Sequence, residues 1–140
     1  MKGLTNLIRV HKWKLDEKRR ELADMEALRD EFARQLNQLA SAHTREQQIA
    51  AEHPEVNFSY ANFATASRQQ QENIQQSIAE IENNIDLLND DVADCFQELK
   101  KYEIVLDMRE KKKKVARDKA EQIEMDDLAI DIYRRKDATA

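Results

Sequence analysis

A regular spacing of apolar residues between positions 74 and 106 is the feature that most constrains the fold of this chain. In alternating steps of four and three, the positions are Ile74, Ile78, Ile81, Ile85, Leu88, Val92, Cys95, Leu99, Tyr102 and Leu106. Most of the residues between them are charged or carry amides. A repeat averaging about 3.5 residues over about five heptads predicts a left-handed coiled coil. We call this series of positions the ladder; its narrow stripe requires a partner helix.

The N-terminal part of the chain can supply that partner, because it contains a second ladder with the same steps. Its positions are Leu4, Ile8, His11, Leu15, Lys18, Leu22, Met25, Arg29, Phe32, Leu36, Leu39 and His43. Four of them are polar. Polar residues in such a seam lower stability but fix the register and the number of helices.

Composition and a single proline predict how the two helices are connected. The chain has 140 residues, one Gly and one Pro, which favours long helices over a fold with many turns. Pro54 should end the first helix. We expect one domain, 1–140, with helices at about 3–51 and 59–136 and a turn at about 52–58. The predicted fold is all-α: an antiparallel coiled-coil hairpin formed within one chain, with residue i opposite about 110 − i and a C-terminal overhang on the second helix.

The start of this overhang is strongly basic. Residues 109–119 contain seven basic and two acidic residues, although the formal net charge of the chain is −5. Four of the basic residues are consecutive: Lys111, Lys112, Lys113 and Lys114. The basic N-terminal residues 2–20 should lie at the same end of the hairpin. A charged run on a coiled coil is usually a solvated face. Two such runs at one end favour an acidic protein partner over nucleic acid, which the acidic middle of the second helix would repel.

Apolar residues outside the ladder occur at this end too. Leu7, Val10 and Trp13 are spaced by three residues beside the seam. Further apolar residues lie in the overhang: Ile123, Met125, Leu128, Ile130, Ile132 and Tyr133. They predict a surface that binds a partner. The alternative is that the last turns fold back and cover Trp13 within the same molecule.

The turn carries a separate apolar cluster, formed by Val56, Phe58, Tyr60 and Phe63. Such residues can close a turn locally, much as a hydrophobic staple does. Exposed aromatic residues are also favoured anchors of interfaces. We favour the local role for Val56 and Phe58 and the docking role for Tyr60 and Phe63.

The sequence gives little support to catalysis. The only glycine is Gly3, so there is no glycine-rich phosphate loop. The three histidines are far apart and lack ligand spacing, and Cys95 falls on the ladder. We therefore expect no enzyme activity, cofactor or metal. One cysteine is compatible with a reducing compartment, and neither a transmembrane run nor a signal-peptide core is evident, so a cytoplasmic location is the default expectation.

The last part of the chain carries a resemblance to a known family. Residues 117–129, RDKAEQIEMDDLA, resemble the closing pattern of the FliJ family of flagellar type III export proteins: a charged helix with Glu-Gln, followed by an apolar-Asp-acid step. The N-terminal segment rich in Leu, Lys and Arg and the layout of two helices are also similar to that family.

This resemblance implies a role and a set of partners. FliJ-like proteins resemble the central stalk of rotary ATPases, insert their terminal helices into the ring of the flagellar export ATPase, contact the export gate membrane protein and handle export chaperones. Such a protein is cytoplasmic and associates peripherally with the inner face of the cell membrane at the flagellar base, only through its partners. The residues that would face the ATPase ring are Leu7, Val10, Trp13, Lys111, Lys112, Lys113, Lys114 and Leu128. Tyr60 and Phe63 would face the export gate.

Two other functions remain open at this stage. One is a generic coiled-coil scaffold or adaptor without an ATPase partner. The other is a helical arm that binds nucleic acid. A monomeric hairpin fits the stalk, a parallel dimer would support the scaffold, and weak, salt-sensitive RNA binding would favour the arm.

Overall fold

The chain forms two long helices joined by a short turn. The computed structural model describes residues 2–139, except for the side chains of Val56 and Thr139. Helix α1 spans Lys2–Glu52, a 3-10 turn spans Pro54–Val56, and helix α2 spans Asn57–Thr139. No strand occurs among these residues. The predicted all-α class and the pair of packed long helices are confirmed.

Pro54 sets the reversal of the chain. The last backbone hydrogen bond before it runs from the His53 N–H to the carbonyl of Ile49, at 2.9 Å. His53 itself is not helical, with φ −126° and ψ 86°, because a residue before proline disfavours the helical conformation. Asn57 is already helical and donates its N–H to the Pro54 carbonyl. The chain therefore reverses within a few residues. Val56 was predicted as part of the apolar cluster here, but its side chain is outside the described residues.

The contacts between the helices fall into two compact units, each an antiparallel pair. Unit 1 comprises Met1–Lys12 and Gln97–Ala140, and unit 2 comprises Trp13–Phe96. In unit 2, Lys18 Nζ lies 3.7 Å from Asp91 Oδ2. Farther along α1 in the same unit, the partner of His43 is Tyr60, so the two helices run in opposite directions.

Unit 1 has a contact of its own between the helices. The His11 ring stacks on Tyr102, with centroids 4.9 Å apart and planes inclined by 27°. Asp91 and Tyr102 lie within about one helical turn of the positions expected from 110 − i, whereas Tyr60 lies about two turns from its expected position. The contact beside the turn is therefore shifted from the predicted register.

The ladder is the buried seam in both units. Each of its positions is buried or half-buried, from Leu4 to His43 on α1 and from Ile74 to Leu106 on α2. The most buried apolar residues are Ile8 and Leu99 in unit 1, and Leu15, Ala50, Ala64, Ile81 and Ile85 in unit 2. A single seam of this kind excludes water along a line, so most other residues are exposed.

The seam ends at Leu106 because the ladder changes character there. Continued in the same steps, it reaches the charged Arg109 and Lys113 and then two alanines before the next large apolar residue, Ile123. Every residue from 107 to 138 is exposed, and α2 continues without a break to Thr139. The alternative in which the C-terminal turns fold back is therefore wrong. We call residues 107–139 the overhang.

Candidate partner-binding surfaces

The first candidate surface is the basic part of the overhang, in unit 1. Lys111 Nζ lies 3.1 Å from Asp107 Oδ2, one helical turn earlier. Within the described residues, no carboxylate lies within ion-pair distance of Lys112, Lys113 or Lys114. Three ammonium groups are therefore exposed without a local counter-charge and can attract an acidic partner.

Apolar side chains lie next to these charges. Val105, Met108, Arg109 and Lys112 line one shallow groove on α2. Met108 is 64% exposed, and the aliphatic stems of Arg109 and Lys112 extend the apolar surface around it. A partner that covers this groove would gain both apolar burial and charge pairing.

The structure distributes the predicted residues of the ATPase end over several places. Leu7 and Val10, 37% and 47% exposed, belong to unit 1 on α1. Trp13, 63% exposed, belongs to unit 2. Leu128 is also exposed, but it lies roughly 33 Å along the helix axis from Leu106, at about 1.5 Å per residue. Leu7, Val10 and Leu128 therefore belong to the same unit but do not form one patch.

The second candidate surface is the tip, which we define as residues 49–63 of unit 2. Phe58 is its most exposed aromatic residue, at 83%, and Phe63 is 38% exposed. Tyr60 is half-buried, and its ring meets the His43 ring edge-on with centroids 6.0 Å apart. The Phe63 ring is 6.1 Å from that of His43. Tyr60 thus helps to close the tip, Phe63 is partly covered by the His43 ring, and Phe58 faces solvent.

A groove runs beside these aromatic residues. It has a volume of about 320 Å³ and is lined by Glu46, Ile49, Ala50, Ser59, Tyr60 and Phe63. Ala50 is buried and Ile49 is 45% exposed. The groove can accept an apolar side chain of a partner, with Glu46 at its polar edge.

The seam next to the tip is unusually polar and small. Ser67 is 3% exposed, and its hydroxyl accepts a hydrogen bond of 3.1 Å from the Gln71 amide. The Nδ1 atom of His43 is buried and has no hydrogen-bond partner among the described residues. This part of the hairpin holds together with less apolar burial than the segment around Ile81 and Ile85.

Three further properties bear on function. Residues 2–139 contain no cluster of three or more His, Cys, Asp or Glu side chains that could hold a metal ion. No helix in this part of the chain is long and apolar enough to cross a membrane. The free Cys95 is half-buried at its ladder position.

The sequence analysis missed the charge pattern of the later overhang. Residues 121–131 contain five acidic residues and no basic one, directly after the basic residues 109–119. Counting charge in windows of about ten residues would have revealed this reversal of sign.

These features define a class of protein: a two-helix antiparallel coiled coil in which one helix extends past the seam, with contact surfaces along exposed helix faces. The sequence model of the flagellar FliJ protein family matches residues 1–138. The chain belongs to this family and is a flagellar export-related protein. No curated protein and no solved structure matches it.

Proposed function

We propose that this chain is a non-catalytic coiled-coil stalk of flagellar type III protein export. In this role the overhang engages the ring of the export ATPase, the tip engages the export gate membrane protein, and the chain escorts export chaperones. It works on the cytoplasmic side of the cell membrane at the flagellar base and is held there through its partners alone.

The observation that carries the proposal is the overhang. Beyond Leu106, α2 has no partner helix among residues 2–139, yet it stays helical to Thr139. A single helix that projects from a hairpin can enter a central opening of a ring, which a compact domain cannot do. Its exposed lysines at 111–114 supply charge for acidic loops of the ring.

The apolar residues of the same unit support this assignment. Leu7 and Val10 of α1 and Met108 of α2 are exposed in unit 1. Interfaces draw most of their affinity from a few buried apolar anchors, while surrounding charges speed association. Trp13 and Leu128 would add contacts of the same kind where the ring reaches them.

The tip supports contact with the export gate. Phe63 and Tyr60 border a groove, and the neighbouring Phe58 is exposed. Large aromatic side chains at an exposed turn are favoured anchors for a second protein. Because the tip lies in unit 2 and the overhang in unit 1, each surface can be removed separately.

Truncation after Asp107 tests the role of the overhang. The ladder to Leu106 stays complete, so the hairpin should keep its helical signal. We expect the truncated chain to lose stimulation of the purified export ATPase and to keep binding to the cytoplasmic part of the gate protein.

A matched control alters only the tip, by Phe58→Ala with Phe63→Ala. This variant should lose gate binding and keep full ATPase stimulation. Unreduced stimulation by the truncated chain would contradict the assignment of the overhang. Fluorescence of Trp13, the only tryptophan, gives a second readout, because an exposed indole shifts to shorter wavelength when a partner covers it.

A further inference from the structure

The overhang carries an apolar stripe on a face different from the seam. Its positions, in steps of three and four, are Val105, Met108, Lys112, Val115, Lys119, Ile123, Asp126, Ile130 and Tyr133. At about 100° per residue, this stripe lies more than a third of a turn around the helix from Leu106. Its six apolar members are 37% to 71% exposed. We call these nine positions the overhang stripe.

The spacing of the overhang stripe is the same in both directions from its centre. Starting at Lys119, the steps are four, three, four and three toward Tyr133, and also four, three, four and three toward Val105. An antiparallel copy of the same helix, related by a two-fold axis at Lys119, therefore places stripe positions opposite stripe positions. In a two-fold interface each contact occurs twice.

The residues that meet in this arrangement are complementary. Val115 faces Ile123, Met108 faces Ile130 and Val105 faces Tyr133, so that every apolar position meets an apolar one. The remaining pair, Lys112 and Asp126, has opposite charges. A register shift of one heptad toward the N-terminus would instead place Val105 against Asp126 and Lys112 against Lys119.

Charge along the whole segment agrees with the same pairing. The basic residues 109–119 of one copy lie along the acidic residues 121–131 of the other. A parallel pair in register would instead bring like charges together over both segments, which is unfavourable. The stripe and the charge segments thus select one orientation independently.

We propose that a second copy of this chain is a binding partner of the overhang stripe, and that two hairpins associate through their overhangs as an antiparallel pair centred on Lys119. The hairpin stays within each chain, and only the overhang takes part in the association. The pairing does not rest on the proposed role in export.

Lys119 limits the strength of the pair. At the two-fold axis its ammonium group meets its own copy, and the long stem must turn aside to keep the charge in water. The association is therefore weak and reversible, and its dissociation constant should rise with salt because the flanking charges are screened.

Sedimentation equilibrium of the full chain at low salt, over a wide range of protein concentration, tests the proposal. We expect a monomer–dimer equilibrium. Asp126→Lys places two lysine pairs in the interface and should weaken the dimer roughly tenfold, as should Lys112→Asp. The double variant with both changes exchanges the charges and should restore the parent affinity to within about threefold.

Substitution of Lys119, at the two-fold axis, should change the affinity of the dimer in the opposite direction. Lys119→Leu removes the repulsion and adds an apolar contact, so it should tighten the dimer by roughly tenfold. Lys14→Leu is the matched control, because this lysine is exposed on α1, outside the overhang, and its replacement should leave the affinity unchanged. Equal tightening by both variants would mean nonspecific apolar association and would overturn the proposal.

Orientation is tested with single cysteines in a Cys95→Ala background. Mixed Val115→Cys and Ile123→Cys chains should form the mixed disulfide, and neither variant alone should crosslink efficiently. Crosslinking of Val115→Cys chains with each other would show a parallel pair and contradict the two-fold arrangement. A monomer at every concentration would also overturn it, leaving the stripe to a different partner.

Discussion

The phenol oxygen of Tyr60 lies 3.3 Å from Nε2 of His43, joining the two helices of the hairpin beside the turn. This contact is half-buried, and the other ring nitrogen of His43 is buried without a hydrogen-bond partner in the described chain. His43 stands at a ladder position that an apolar residue would fill more favourably. The tip is therefore held by one polar contact that leaves part of His43 unsatisfied.

Tyr60→Phe should lower the free energy of unfolding by about 0.5–1.5 kcal/mol, because it removes one hydrogen bond and leaves a second histidine nitrogen unpaired. In a His43→Leu background, Tyr60→Phe should lower the free energy of unfolding by less, or should raise it, because no buried polar atom then lacks a partner. Thermal melting followed by circular dichroism measures both. If the double variant is less stable than Tyr60→Phe alone, the packing of the His43 ring on its aromatic neighbours contributes more than its unpaired nitrogens cost.

Ile85→Asp tests the seam. Ile85 is 6% exposed, and an aspartate there would be an unpaired charge in a narrow apolar interface. We expect Ile85→Asp to lower the free energy of unfolding by on the order of 3 kcal/mol or more. Leu87→Asp is the control, because Leu87 is 63% exposed on the same helix and its replacement should change stability by less than about 0.5 kcal/mol. Similar midpoints for the two variants would contradict the burial of Ile85.

The register of the hairpin gives a prediction about crosslinking. Met25 and Ile85 are ladder positions in unit 2 that the antiparallel register places opposite each other. Cysteines at both positions, in a Cys95→Ala background, should be joined within one chain by a short bifunctional maleimide. Gel mobility after protease cleavage at the turn distinguishes the products. Crosslinks found only between chains would rule out an intramolecular hairpin.

The seam could be predicted from the sequence because its period is regular. Even the polar positions His11, Lys18 and Arg29 are half-buried where the ladder places them. Lys18 is accommodated because its ammonium group reaches Asp91 on the other helix, while its stem covers the seam. A repeat of three and four residues fixes which face is covered, whatever the residue at each position.

The surfaces outside the seam were harder to predict. The sequence places four apolar residues at the turn but does not show which of them pack inward, because this depends on how the Pro54–Val56 turn directs the start of α2. Tyr60 packs on His43, whereas Phe58 is exposed. The free course of the overhang, by contrast, follows from the charged residues Arg109 and Lys113 at the continued ladder positions, a signal present in the sequence.

Reversing the charge of residues 111–114 to glutamate is the most direct test of the proposed role in export. Glutamate forms helix as readily as lysine, so helix content should stay nearly constant. Reversal of four other basic residues in unit 2, at Arg19, Arg34, Arg45 and Arg68, changes the net charge equally and serves as the control. The measurement is stimulation of the export ATPase at low salt, with association and dissociation rates recorded in parallel.

We expect the variant altered at residues 111–114 to stimulate the ATPase poorly, through slower association more than faster dissociation, because exposed charges act mainly by steering. The control variant should stimulate as the parent chain does. Stimulation by the 111–114 variant equal to that of the parent would show that these lysines are a solvated helix face and would contradict their contact with the ring.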